Sequence, residues 1–117
     1  MNNWPSEFFQ AIDQFNQGEY YACHDTLEAL WMEAMEPERT LYQGLLQIAV
    51  AGYHLGNGNQ RGAVLLLGEG LMRLRRCPEL PNDWDFTGLI TQGSILLQKL
   101  QAQENPKFNL RLAILSQ

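Results

Sequence analysis

The sequence predicts an all-α fold, a compact antiparallel bundle of about five helices followed by a carboxyl-terminal extended tail. Three observations lead there. Apolar residues return at three- and four-residue intervals in five separate stretches, the pattern of helices that bury one face. Glycine, proline and asparagine clusters separate those stretches, and such residues stop or turn a chain. The 117 residues are 45% hydrophobic and 18% charged, sufficient for one core and short of two ordinary domains. Residues 1–117 are therefore expected to form a single helical domain, with its core in 5–103 and its tail in 106–117.

The first helix is expected to start at Pro5-Ser6, because proline is tolerated in a first turn. Phe8, Phe9, Ile12 and Phe15 follow at helical spacing, and Gly18 ends the run near Asn16. Asn16-Gln17-Gly18-Glu19 has the spacing of a capping box for a second helix over about 19–34. There Tyr20, Cys23, Leu27, Leu30, Trp31 and Ala34 form the apolar stripe. Pro37 opens a third helix over about 38–55. Leu41, Leu45 and Ile48 lie on one side of it and Leu46, Ala49, Val50 and Tyr53 widen the stripe, which makes it the central buried helix. Gly44 and Gly52 cost about 1 kcal/mol each in helix propensity, so close approach of a neighbouring helix is expected there. Gly56-Asn57-Gly58-Asn59 is the strongest turn.

A fourth helix over about 60–77 carries Ala63, Val64, Leu66, Leu67, Leu71 and Leu74, with Gly62, Gly68 and Gly70 again implying close contacts. Pro78 and Pro81 terminate it. Asp85 is a suitable N-cap for a fifth helix over about 86–101. After Pro106 the alternation Phe108, Leu110, Leu112, Ile114 has period two, which suits an extended segment laid on the bundle.

Charge narrows the partners. Thirteen acids against eight bases give a net charge of -5, which repels phosphate backbones and anionic membranes. Neither nucleic acid nor membrane is an expected partner. Arg73, Arg75 and Arg76 form the only basic cluster and read as a solvated helix end. No amino-terminal signal and no apolar run of membrane-spanning length is visible, and two cysteines do not make a disulfide framework. A cytoplasmic setting is the simplest expectation. A homo-oligomer remains open, with an exposed apolar face on the fourth or fifth helix as its expected basis.

The chemistry-bearing residues gather on the second and third helices. His24 and Glu28 stand four apart, so a helix puts them on one side. An antiparallel hairpin would bring His24 level with Gln47 and Glu28 level with Gln43, while Arg39 and His54 extend the stripe. Three readings compete. A closed hydrogen-bond network would fix helix register. A metal or small-molecule site would draw on His24 and His54 as nitrogen ligands and on Glu28 or Asp25 as an oxygen ligand, with Trp31, Gln43 and Gln47 contacting a bound cofactor. Catalysis would use His24 as a base held by Glu28. No complete metal motif is present, and Cys23 has an inert, apolar setting. A small intracellular structural or interaction domain is the preferred reading. A metal- or small-molecule-binding protein is the alternative, extending to an enzyme. A divalent metal is its expected cofactor.

The stretch Phe15-Asn16-x-Gly18-x-Tyr20-Tyr21-x-x-His24-Asp25-x-x-Glu28-x-x-Trp31 resembles the opening of the uncharacterised DUF309 family. Tyr42-Gln43-Gly44-Leu45-Leu46-Gln47-Ile48-Ala49-Val50, His54 and Gly58-Asn59-x-x-Gly62-Ala63 resemble its later blocks, and the likeness runs from about Phe8 to Leu74. It implies a compact all-α domain and brings no activity, substrate or cofactor. Asp25 stands where glutamate is commoner in the family, a shorter acid with the same charge.

Overall fold

Five helices form in the order that the apolar spacing predicts: α1 (Ser6–Asn16), α2 (Tyr20–Glu33), α3 (Glu38–Gly56), α4 (Gln60–Arg76) and α5 (Phe86–Gln101). The structure is a computed structural model and describes residues 3–115. Helix ends follow local chemistry. The Asp85 carboxylate accepts the Gly88 N–H at 2.9 Å, and the Asn59 side chain accepts the Gly62 N–H at 2.9 Å. Each satisfies a donor that the first turn leaves free. Gly18 and Gly58 turn the chain at φ 81° and 75°, the left-handed region that a Cβ disfavours.

The capping box expected at 16–19 does not form. No side chain caps α2, because Asn16 is still the last helical residue of α1 and its amide points elsewhere, to the closing segment.

Helices pack chiefly in chain order, α1 on α2, α2 on α3, α3 on α4 and α4 on α5. The central position of α3 is as expected: Leu41, Tyr42, Leu45, Ile48, Ala49 and Ala51 are all buried. α3 and α4 approach closely where their glycines meet. A Cβ on Gly70 would lie 2.8 Å from the Gly44 carbonyl oxygen and 2.7 Å from Ile48 Cγ1, so the small residues there set the helix separation. Gly68 has no such role, since a Cβ on it would meet nothing within 4 Å.

One end of the core is aromatic. Phe8 is fully buried, stacks on Trp4 at 4.1 Å and meets the edge of Trp84 at 5.5 Å. Trp84 thus anchors the loop before α5. The segment after Pro106 is extended and lies on the bundle between α1 and α5, joined to both by hydrogen bonds. Leu110 and Leu112 point inward and are buried, while Asn109, Arg111 and Ala113 are exposed. Period-two alternation is its packing pattern as far as Leu112; Ile114, the next residue of the run, is 42% exposed. An isolated antiparallel backbone bridge pairs Ile114 with Trp84.

Among the described residues, no helix is long and apolar enough to cross a membrane. Leu65, Met72 and Ile95 leave apolar surface exposed on α4 and α5.

Candidate functional site

His24 faces outward from α2 at the edge of the α2–α3 pairing. Its Nδ1 is 3.2 Å from Asp25 Oδ1 and its Nε2 is 3.5 Å from Glu28 Oε2. The His24 side chain is 25% exposed and those of Asp25 and Glu28 are 62% and 51% exposed. Water therefore reaches all three groups, and the pairing is a surface one.

Beside them runs a row of rings. Tyr21 lies 5.9 Å from His24 and 5.3 Å from Tyr53, and Tyr53 lies 6.0 Å from His54. Two tyrosine rings thus link the two histidines in a row and stand between them. His54 Nδ1 is 3.5 Å from Asn59 Nδ2 in the turn before α4. Among the described residues, no group of three or more His, Cys, Asp or Glu could hold a metal ion. The proposed ligand trio of His24, Glu28 and His54 is not assembled, because α3 carries His54 toward the α4 turn and away from Glu28.

Nor do the glutamines face the histidine. Gln47 Nε2 donates to Glu69 Oε2 at 3.2 Å, and its Oε1 accepts from Arg73 Nε at 2.8 Å. Both partners belong to α4. Gln43 is half-buried, and among the described residues no hydrogen bond links it or Gln47 to His24 or Glu28. No fully buried side chain of the described core is polar or charged. The polar seam expected between α2 and α3 is therefore open and divided. Tyr21 pairs with Tyr53, three positions beyond the residue that the expected hairpin levels put opposite it. Rotation of α3 about its own axis differs and turns Gln47 to the α4 side.

Trp31 and Arg39 complete the band at the hairpin joint. The Arg39 guanidinium lies 4.2 Å from the Trp31 ring centroid, and its Nη1 donates to the Trp31 carbonyl at 3.0 Å. That is a cation–π contact reinforced by a charge-assisted hydrogen bond. Trp31 Nε1 is buried and meets no acceptor among the described residues. Two clefts, one near Trp4, Tyr42 and Cys77 and one near Leu30, Met35 and Tyr42, touch none of His24, Glu28 and His54. The first has a volume of about 720 Å³.

Burial pushes the Cys23 thiol up to about 12. It stays protonated near neutral pH, which removes a nucleophile beside His24. Burial, and then nearby Cys23, raise the Tyr20 hydroxyl above its usual range. The tyrosine faces could receive a cation.

Sequence reasoning missed two amide residues of another kind, Asn16 and Gln92, which bond the backbone of the closing segment. The signal was the period-two run itself: an extended segment outside a sheet needs side chains to satisfy its peptide groups.

Residues 8–66 match the family model described as Domain of unknown function (DUF309). The chain belongs to the DUF309 family. An uncharacterized protein of Aquifex aeolicus (strain VF5) is 27% identical over 66 residues, which cover 56% of this chain and 20% of that protein. The uncharacterized protein YpuF of Bacillus subtilis (strain 168) is 31% identical over 74 residues, 62% of this chain and 42% of that protein. The matched region thus spans less than half the length of these curated relatives. The DUF309 region takes in the whole His24–Tyr53–His54 band and Asn16, and leaves out Glu69, Arg73, Gln92 and the closing segment.

Proposed function

We propose that this DUF309 domain is an interaction domain that receives a lysine- or arginine-bearing segment of a protein partner on the open α2–α3 face. The observation that supports it is the Tyr21–Tyr53 pair, with ring centroids 5.3 Å apart and residues 59% and 42% exposed. Two adjacent tyrosine rings left in water contribute little to the core, and they are the kind of group enriched where proteins meet. Ring faces attract cations. Asp25 and Glu28 supply negative charge beside them, and the net charge of -5 favours a basic partner over nucleic acid or an anionic membrane. A cytoplasmic setting and a single domain over 1–117 belong to the same proposal. The test is a titration of fluorescein-labelled lysine- and arginine-rich peptides followed by anisotropy. Binding should weaken with added salt. It should fall about tenfold in the double variant Tyr21→Ala/Tyr53→Ala, and fall also in Glu28→Lys. Absent binding, or binding indifferent to these substitutions, overturns the proposal.

The second reading is a metal or small-molecule site, and it rests on His24 standing between two carboxylates. Stoichiometric transition metal in protein purified without a polyhistidine tag, lost in His24→Ala, would favour it over a peptide surface.

A further inference from the structure

The closing segment is held in a way that suits a bound peptide. Asn16, on α1, uses both ends of its side-chain amide on one residue: Nδ2 donates to the Leu112 carbonyl at 3.0 Å, and Oδ1 accepts the Leu112 N–H at 2.9 Å. Gln92, on α5, does the same one residue earlier, donating to the Arg111 carbonyl at 3.3 Å and accepting the Arg111 N–H at 3.0 Å. Successive residues of an extended chain present their peptide groups to opposite edges. The two amides therefore grip the segment from both sides, as two neighbouring strands would. The ladder continues in the loop before α5, where Asp85 N–H donates to Ala113 O and Leu115 N–H donates to Asp83 O, each at 2.8 Å.

Side-chain recognition falls on alternate residues. Phe108 packs edge-on against Tyr20 at 4.9 Å and Phe15 at 6.3 Å. It approaches so near Gly52 that a Cβ there would lie 3.0 Å from Phe108 Cε1. Leu110 and Leu112 fill the trough below, 3% and 1% exposed. The contacts read backbone amides and an apolar-x-apolar-x-apolar spacing, the recognition mode of peptides that add as strands. The connector at 102–105 is exposed throughout; the backbone N–H groups of residues 102–104 bond back to the end of α5, and Asn105 accepts from Gln60 on α4 at 3.3 Å.

We propose that the trough between α1 and α5 is a binding site for an extended peptide with apolar residues at alternate positions, filled here by residues 106–115 in cis and taking the same segment from a second copy in trans. Exchange of an identical element uses contacts already present in the closed chain.

Two experiments test it on the full chain. In the first, a protease site replaces 102–105 and the chain is cut. The fragment should co-elute with the body, be displaced by excess fluorescein-labelled peptide NPKFNLRLAIL, and be retained about tenfold more weakly in Asn16→Ala/Gln92→Ala. A body that loses helix on cutting and regains it with added peptide gives the same support. A fragment that never exchanges, a body that does not recover, or retention indifferent to the double substitution overturns the site. In the second, deletion of 103–105 leaves the connector too short for closure in cis. A dimer by solution mass supports exchange with a second copy, and a monomer or aggregate overturns it.

Discussion

Two sets of polar side chains stand on this bundle, and they are used in opposite ways. The His24 set bonds locally: Asp25 and Glu28 are its neighbours on the same helix. The Asn16–Gln92 set bonds far away, Asn16 across 96 positions of sequence. The first set is open to water, and removing a member exposes no buried group. The second satisfies peptide groups of a segment whose leucines complete the core: removing Asn16 leaves the part-buried Leu112 groups unpaired, whereas the Gln92 bonds to Arg111 are exposed. Polarity at the surface is free to serve recognition, whereas polarity at the trough holds the fold.

The comparison breaks most sharply at the trough. Leu112→Ala should lower stability by about 2–5 kcal/mol, because a fully buried leucine leaves a cavity; a urea titration measures it. Gly70→Ala should cost about 1–3 kcal/mol by forcing α4 away from the Gly44 carbonyl, again read from the midpoint, and would show that helix approach matters more than the surface band. The Cys23 thiol sharpens the contrast chemically. Its ordinary value of 9.0 is raised to about 12 by burial, so the folded chain keeps a proton that the unfolded chain releases. Its stabilising share is complete below pH 9 and is lost as pH climbs toward 12. Thiol titration at pH 8 should accordingly find Cys23 unreactive until denaturant is added. Smallest of all, Trp31→Phe should shift the midpoint by less than about 0.5 kcal/mol beyond its lost packing, because the buried Nε1 has no partner to lose.

Much of the fold could be read in advance because its signals are local. Five apolar stripes, Asp85 as a cap, Gly18 as a turn and the period-two run of 108–114 each depend on near neighbours in sequence. The site was legible in part. Chain reversal gives the hairpin levels only to within about a turn, and Tyr21 meets Tyr53 three positions beyond the level expected. Rotation about a helix axis does not follow from spacing when, as in α3, most sides are apolar. Gln47 therefore sits with Glu69 and Arg73 on α4, and His24, Glu28 and His54 never form a trio. Asn16 misled for a related reason: its spacing to Glu19 fits a helix cap, and only the return of the chain 96 positions later shows what its amide holds.

One measurement tests the division most directly: parallel urea titrations of Asn16→Ala and His24→Ala. Asn16→Ala should lose about 1–3 kcal/mol through the unpaired Leu112 peptide groups, and His24→Ala should stay within about 0.5 kcal/mol of the parent. An equal loss in both variants, or a larger one in His24→Ala, would contradict the account by showing that the α2–α3 band holds the fold after all.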